Sequence, residues 1–384
     1  MVAPAPEKLR IVILGLSITS SWGNGHATTY RGLVRALCRR GHEVLFLERE
    51  TPWYRAHRDL PQPPFGTTAL YDSHAELHER WRGAVREADL VIVGSYVPEG
   101  IAVAQWAQRS ARGLVAFYDI DTPVTLAALA AGTCEYLDAE LIPGFDLYLS
   151  FTGGPTLRRI EAEYGALAAR ALYCSVDPDC HRPQAVAPAW DIGYLGTYSA
   201  DRQATLDRLL CQPAQRWPQG RFAVAGSLYP ADAVWPANVE RIEHIDPTGH
   251  AAFYGKQRFT LNVTRADMIS CGWSPSVRLF EAAACGVPIV SDWWPGLDEF
   301  FHPGEDILIA RTTEAMLEYL RDLPDGERLL LASNARHRVF AAHTAEHRAA
   351  ELEAYVAEAR VRRRGTGRRA AANPFAQTLP EAAG

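Results

Sequence analysis

Ser274-Pro275-Ser276-Val277-Arg278-Leu279-Phe280-Glu281-Ala282-Ala283-Ala284-Cys285-Gly286-Val287-Pro288-Ile289-Val290 is a helix feeding a buried strand. Ser274 can cap the helix with Pro275 in its first turn, and Gly286 can end it just before the apolar run that follows. A helix start offers free backbone N–H groups and the positive end of a dipole to an anion, and Arg278 adds a fixed charge. Glu281, three residues on and on nearly the same face, can accept hydrogen bonds from a diol. The structural alternative is an amphipathic helix whose Arg278 and Glu281 simply pair with each other. Spacing alone does not choose between the two.

Around this stretch, short β-branched runs alternate with helix-length amphipathic segments. Residues 192–196, 221–225, 259–263 and 287–290 read as one series of strands; residues 9–14, 43–47, 89–93 and 113–117 read as another. Their nearly continuous apolar character suits strands covered on both faces in parallel sheets. Segments 28–40 and 102–112 carry the helical period between strands and end near Gly41 and Gly113. The proline-punctuated stretch 177–188 separates the two series as a linker. The expected fold is therefore α/β, with two Rossmann-like doubly wound parallel-sheet domains whose loops face a central cleft.

A chain of 384 residues, 48% hydrophobic and 22% charged, fits two domains. A formal net charge of -6 gives no electrostatic reason to expect nucleic acid as a partner, because phosphate binding at that scale needs a basic surface. No apolar run reaches the roughly 18 residues of a membrane span and no apolar leader precedes the first strand, which gives a cytoplasmic expectation. Seven dispersed cysteines without a C-x-x-C pair read as reduced thiols. Cys174, Cys180 and His181 lack the second pair of a structural zinc site, so no metal ligands are assigned. Residues 362–384 begin as a basic run and continue without periodicity, which predicts a disordered tail able to touch an anionic membrane at its inner face.

The loop after the first strand, residues 17–26, can turn backbone amides toward an anion near Gly25. It is not G-x-G-x-x-G, which argues against a dinucleotide-dependent oxidoreductase even though Glu48 could supply that fold's acidic residue. Acid–base candidates lie nearby. His26 stands at a helix start, where the dipole favours a neutral imidazole able to accept a proton. Asp119 and Asp121 follow the strand 113–117, although Asp121 is equally well placed as an N-cap before Pro123. In the second half the polar residues Asn262, Thr264 and Arg265 close one strand and point to the same cleft. Trp22, Trp273, Trp293 and Trp294 flank these loops and could stack on ligand rings, although core packing is the more common fate of tryptophan.

The run RLFEAAACGVPIV, residues 278–290, resembles the donor helix of group 1 glycosyltransferases of the GT-B fold, in which E-A-x-A-x-G-x-P-V recurs. GYLGTYSADR (193–202), LNVTRADM (261–268), SDWWPGLDEFF (291–301) and His343-Thr344 are similar to the CgeB-like branch of that group. The resemblance implies that Glu281 contacts the nucleotide ribose. It also implies that Gly25, Gly196, Arg202, Asn262, Thr264, Arg265, Ser274, Ser276 and Arg278 surround the donor. Many retaining members carry a second glutamate eight residues before the ribose glutamate; here that position is Trp273, so their sugar contact and stereochemistry do not carry over.

The expectation is a metal-independent glycosyltransferase without cofactor. Its partners would be a nucleoside-diphosphate sugar and an unidentified acceptor. Residues 1–185 would form the acceptor domain and 186–345 the nucleotide-sugar domain. A C-terminal helix, 346–361, would cross back to the first domain. A nucleotide-sugar epimerase and a non-catalytic donor-binding scaffold of the same fold stand as alternatives. Oligomeric state is not legible.

Overall fold

In the computed structural model, which describes residues 7–23 and 25–371, the strands form two separate parallel sheets. The first contains β1 (Arg10–Gly15), β2 (Glu43–Arg49), β3 (Thr67–Tyr71), β4 (Leu90–Gly94), β5 (Leu114–Asp119), β6 (Leu147–Ser150) and β7 (Ala169–Ala171). Its spatial order is β3-β2-β1-β4-β5-β6-β7. The second contains β8 (Trp190–Leu195), β9 (Phe222–Ala225), β10 (Val239–Ile242), β11 (Gln257–Asn262), β12 (Ile289–Ser291) and β13 (Leu308–Ile309), in the order β10-β9-β8-β11-β12-β13. The apolar runs seen in the sequence are the central strands, and β4 and β5 are buried along their whole length. The short strands β6, β7, β10 and β13 are not evident in the sequence, because two to four residues carry too little period to read.

Each sheet reverses its strand order next to its first strand, β1 beside β4 and β8 beside β11. Such a reversal opens a crevice at the carboxyl ends of the strands, where loops on either side diverge. The loops after β1, β5, β8, β9 and β11 all contribute to the cleft between the sheets.

The last helix, Ala345–Ala371, does not stay with the second sheet. Ala345, Ala349, Leu352, Val356 and Ala359 belong to the first domain's core with Tyr30, Leu33 and Leu37 of the helix His26–Arg39. Gly32 lets the two helices approach, since a Cβ there would sit 3.3 Å from the Ala345 methyl. Glu353 receives Arg40 at 2.6 and 2.7 Å and lies 2.7 Å from the His42 ring.

The helix also corrects the expected tail, because residues 362–371 continue it. Arg362 and Arg363 reach the carbonyls of Asp146 and Gly113 at 2.6 and 2.7 Å, so the basic run is used as surface contact rather than left to repel itself. The rest of the tail, 372–384, lies outside the described residues. No helix among the described residues is long and apolar enough to cross a membrane.

Candidate active site

On the first domain's side, the loop after β1 is held from below by Glu48 at the end of β2. Its carboxylate accepts from the backbone N–H groups of Ile18 and Thr19 at 2.7 and 3.0 Å and from the Thr19 hydroxyl at 2.6 Å. The acid that a dinucleotide fold would spend on a ribose is therefore consumed in shaping the loop. Gly23 adopts a left-handed φ of 68°, which glycine alone takes at little cost. Gly25 is the N-cap of the helix His26–Arg39, and both glycines line the cleft. His26 lies deeper, beside Thr264, Arg265 and Ser276 of the other domain. Its Nδ1 has no hydrogen-bond partner among the described residues, and burial lowers its pKa to about 4. The imidazole is neutral, as expected, but burial is the cause.

On the second domain's side, Arg278 passes over the face of Tyr194 at 4.8 Å. Its Nε donates to the Leu195 carbonyl and its Nη1 to Asn262 Oδ1, the latter at 2.7 Å. A Cβ on Gly196 would stand 2.8 Å from Arg278 Nη2, so this glycine makes room for a protein guanidinium as well as for a ligand. Asn262 is fully buried; its amide also donates to Thr264 and Ser291. It positions Arg278 and does not line the cleft.

Arg202 is 8% exposed and holds the Thr197 carbonyl at 2.6 Å. Burial, and with it the charges of Arg278 and Arg265, lowers its pKa. Neither Arg202 nor Arg278 has a carboxylate partner among the described residues. The Arg278–Glu281 pair allowed by helical spacing does not form.

Glu281 points instead into a cluster that the spacing did not show. Tyr254 donates to its Oε2 at 3.1 Å, His181 Nε2 lies 3.5 Å from Oε1, and His250 Nδ1 lies 3.7 Å from Oε2. Burial opposes ionisation of Glu281, but His181, His250 and the Tyr254 hydroxyl outweigh it and hold the pKa at about 2. His250 and Tyr254 are four residues apart on the helix Pro247–Gly255, a shared face that the sequence could have revealed. His181 comes from the linker. The thiols once grouped with it point elsewhere: Cys174 donates to the Pro275 carbonyl and Cys180 lies beside Arg35. His181, His250 and Glu281 have the donor types for a metal ion, within 4.8 Å of one another.

Several expected site residues have other work. The helix begins at Val277 with Ser276 as its N-cap, not at Ser274. Ser274 is buried and accepts from Thr152 of the first domain at 2.9 Å, tying the two domains together. Ser276 lines the cleft. Thr264 also lines it, although its hydroxyl and N–H are held by Asp292 at 2.7 and 2.9 Å.

Asp119 is removed from the cleft. It is fully buried and bound by Thr125 and Tyr148, both at 2.6 Å, and burial raises its pKa to about 6. The last turn of β5 points it into the core. Asp121 does reach the interdomain space, where it accepts from Tyr96 at 3.0 Å and from Arg265 at 3.3 Å. Its side chain makes no capping bond.

The tryptophans divide similarly. Trp294 is core and Trp293 is on the surface. Trp22 stacks on His57 and reaches His244 of the other domain, with centroids 4.4 Å apart in both cases. Trp273, at a left-handed φ of 44°, fits between Gly154 and Gly296, and its Nε1 donates to Glu299 at 2.6 Å. Its carbonyl accepts from Gly153 at 2.9 Å. It is a brace between domains and lies outside the cleft lining. Gly296→Ala, whose Cβ would meet the indole at 2.6 Å, should destabilise the fold by about 1–3 kcal/mol; an unchanged urea midpoint would refute the brace.

The second half, residues 202–354, matches the family model described as "Glycosyl transferase-like". No curated protein matches the chain. Among solved structures, sucrose-phosphate synthase from Thermosynechococcus elongatus is 16% identical with a TM-score of 0.64, covering 89% of this chain and 97% of that one. Anabaena HepE in complex with UDP and glucose is 13% identical with a TM-score of 0.65, covering 91% and 100%. An alpha-glucosyltransferase in complex with UDP is 12% identical with a TM-score of 0.66, also covering 91% and 100%. The chain thus has the GT-B fold, and its residues 202–354 carry a glycosyl transferase-like domain.

Proposed function

We propose that the donor is a uridine-diphosphate sugar held mainly by the second domain, with the acceptor presented by the first. The observation that carries this reading is the pair Arg202 and Arg278, buried at the cleft without a carboxylate partner. Unpaired buried cations are costly, and a diphosphate supplies the missing charge. Loop amides around Gly25 at the helix start add to the same field. HepE and the alpha-glucosyltransferase, which share the fold, are described with UDP; this supports the choice of base. The CgeB-like motifs support placement in that branch.

In the reaction, the acceptor hydroxyl oxygen forms a bond to the anomeric carbon while the carbon–oxygen bond to the diphosphate breaks. The electron pair leaves with the diphosphate, where Arg278, Arg202 and Arg265 stabilise it. His26, neutral and partner-free at Nδ1, takes the acceptor's proton. Asp121, tied to Arg265 across the domains, orients that arginine. Since the positive charge that stabilises the leaving diphosphate comes from arginine side chains, we propose that Mg²⁺ and Mn²⁺ are not needed. The first test is a calorimetric panel of UDP, dTDP, GDP and ADP, in which UDP should bind most tightly, followed by turnover of UDP sugars with and without Mg²⁺. A preference for another base overturns the UDP assignment, and activity that appears only with Mg²⁺ or Mn²⁺ overturns the ionic account.

A further inference from the structure

The His181–His250–Glu281 cluster has more donors than the donor-site reading uses. His250 Nε2 lies 3.2 Å from the Ile245 carbonyl, which accepts its N–H. In a neutral ring its Nδ1 would turn a lone pair toward Glu281 Oε2, 3.7 Å away, and two electron-rich atoms would face each other unless a cation lay between them. His181 is 2% exposed, and neither of its ring nitrogens has a hydrogen-bond partner. Buried imidazoles are ordinarily hydrogen-bonded, so one ring without a partner and a second satisfied at a single nitrogen, both around one carboxylate, call for a positive charge between them.

The spacing favours an ion. Bonds of about 2.0–2.1 Å in tetrahedral geometry place neighbouring ligand atoms about 3.3 Å apart. The two histidine–carboxylate separations are 3.5 and 3.7 Å. The widest span in the set, up to 4.8 Å, closes by a small rotation of the His181 ring, which no hydrogen bond restrains. Outer contacts that orient metal ligands are already present: a backbone carbonyl on His250 and the Tyr254 hydroxyl on Glu281.

We propose that His181, His250 and Glu281 bind one zinc-class divalent cation. Two imidazoles and one carboxylate suit zinc or cobalt far better than magnesium or calcium. His250 and Glu281 line the cleft and His181 stands behind them, so the fourth coordination position opens toward the donor. This inference shares Glu281 with the proposed donor site and rests on that reading only for what would occupy the fourth position. It is separate from the leaving diphosphate, which the arginines serve.

The test uses the full chain, stripped with chelator and titrated with Zn²⁺, then with Co²⁺. About one equivalent of zinc should bind, and the cobalt form should show the strong visible absorption of a four- or five-coordinate nitrogen–oxygen site. His181→Ala and His250→Gln should each weaken zinc binding at least about tenfold. The cobalt spectrum of the unaltered chain decides the matter should either variant fail to fold. Arg278→Ala should weaken UDP binding by about 10–100-fold and keep zinc, so failure of the donor reading and failure of the metal site give different results. Uptake below about a tenth of an equivalent, or unchanged zinc affinity in both folded histidine variants, overturns the proposal and leaves a proton as the charge between His250 and Glu281.

Discussion

Arg278→Ala should lower kcat by about 10²–10³-fold, the usual consequence of removing a donor aimed at developing negative charge. UDP affinity should fall less, by about 10–100-fold, because the ground-state diphosphate bears part of the same charge. The split between the two effects is the informative quantity: weakened UDP affinity with kcat unchanged would mean that Arg278 serves binding alone. Arg278→Lys should rescue little. The guanidinium is held by Leu195 and Asn262 through two different nitrogens while a third stays over Gly196. A lysine has one nitrogen and cannot satisfy both carbonyl-type acceptors while facing the cleft. Near-normal turnover in the alanine variant, with the fold intact, would remove the arginine from the reaction.

Replacing His26 with asparagine should cost about 10²–10⁴-fold in turnover while UDP affinity stays near that of the unaltered chain. Its pH signature separates it from a residue that merely lines the cleft. With a pKa lowered to about 4, the imidazole can accept a proton throughout the neutral range, so kcat/KM should be level from about pH 5 to 8 and decline as pH falls through 4. A break near 6.5 would mean an unburied histidine and would contradict the structure. The same shift affects stability. The unfolded chain binds a proton at His26 below about 6.5 and the folded chain does not, so this contribution is fully present above 6.5 and lost as pH falls toward 4. Asp119 has the opposite sign: its pKa is raised to about 6, so its contribution is present below about 3.9 and lost as pH rises through 6.

Glu281→Ala should weaken UDP binding by about 1–3 kcal/mol, the cost of leaving polar partners unmatched, with calorimetry as the check. An unchanged affinity in the folded variant would separate this residue from the nucleotide.

The tandem sheets were legible because their central strands are long, β-branched and buried on both faces, which gives an apolar run without alternation. The donor helix was legible as a motif, yet its start was misplaced by two residues. Ser274 has the side chain of a cap, but Thr152 from the other domain claims it, and no local pattern can show a contact 122 residues away. Asp119 and Asp121 look equivalent in sequence. They differ because β5 ends between them, which turns one into the core and leaves the other at the domain boundary. The histidine cluster was invisible for the same reason, since its members come from a linker and two helices.

The last helix gives the chain an order that its two-domain description hides. Val176, on the way out of the first sheet, forms a parallel bridge with Thr344, on the way back, and its carbonyl accepts from the Ala345 N–H at 2.9 Å. The second sheet is thus an insertion into the first domain, admitted and released through two adjacent backbone segments. Cutting the chain in the linker would strip the helix His26–Arg39 of its covering and expose a face of apolar side chains. Joining residue 176 to residue 344 by a short loop would keep that covering.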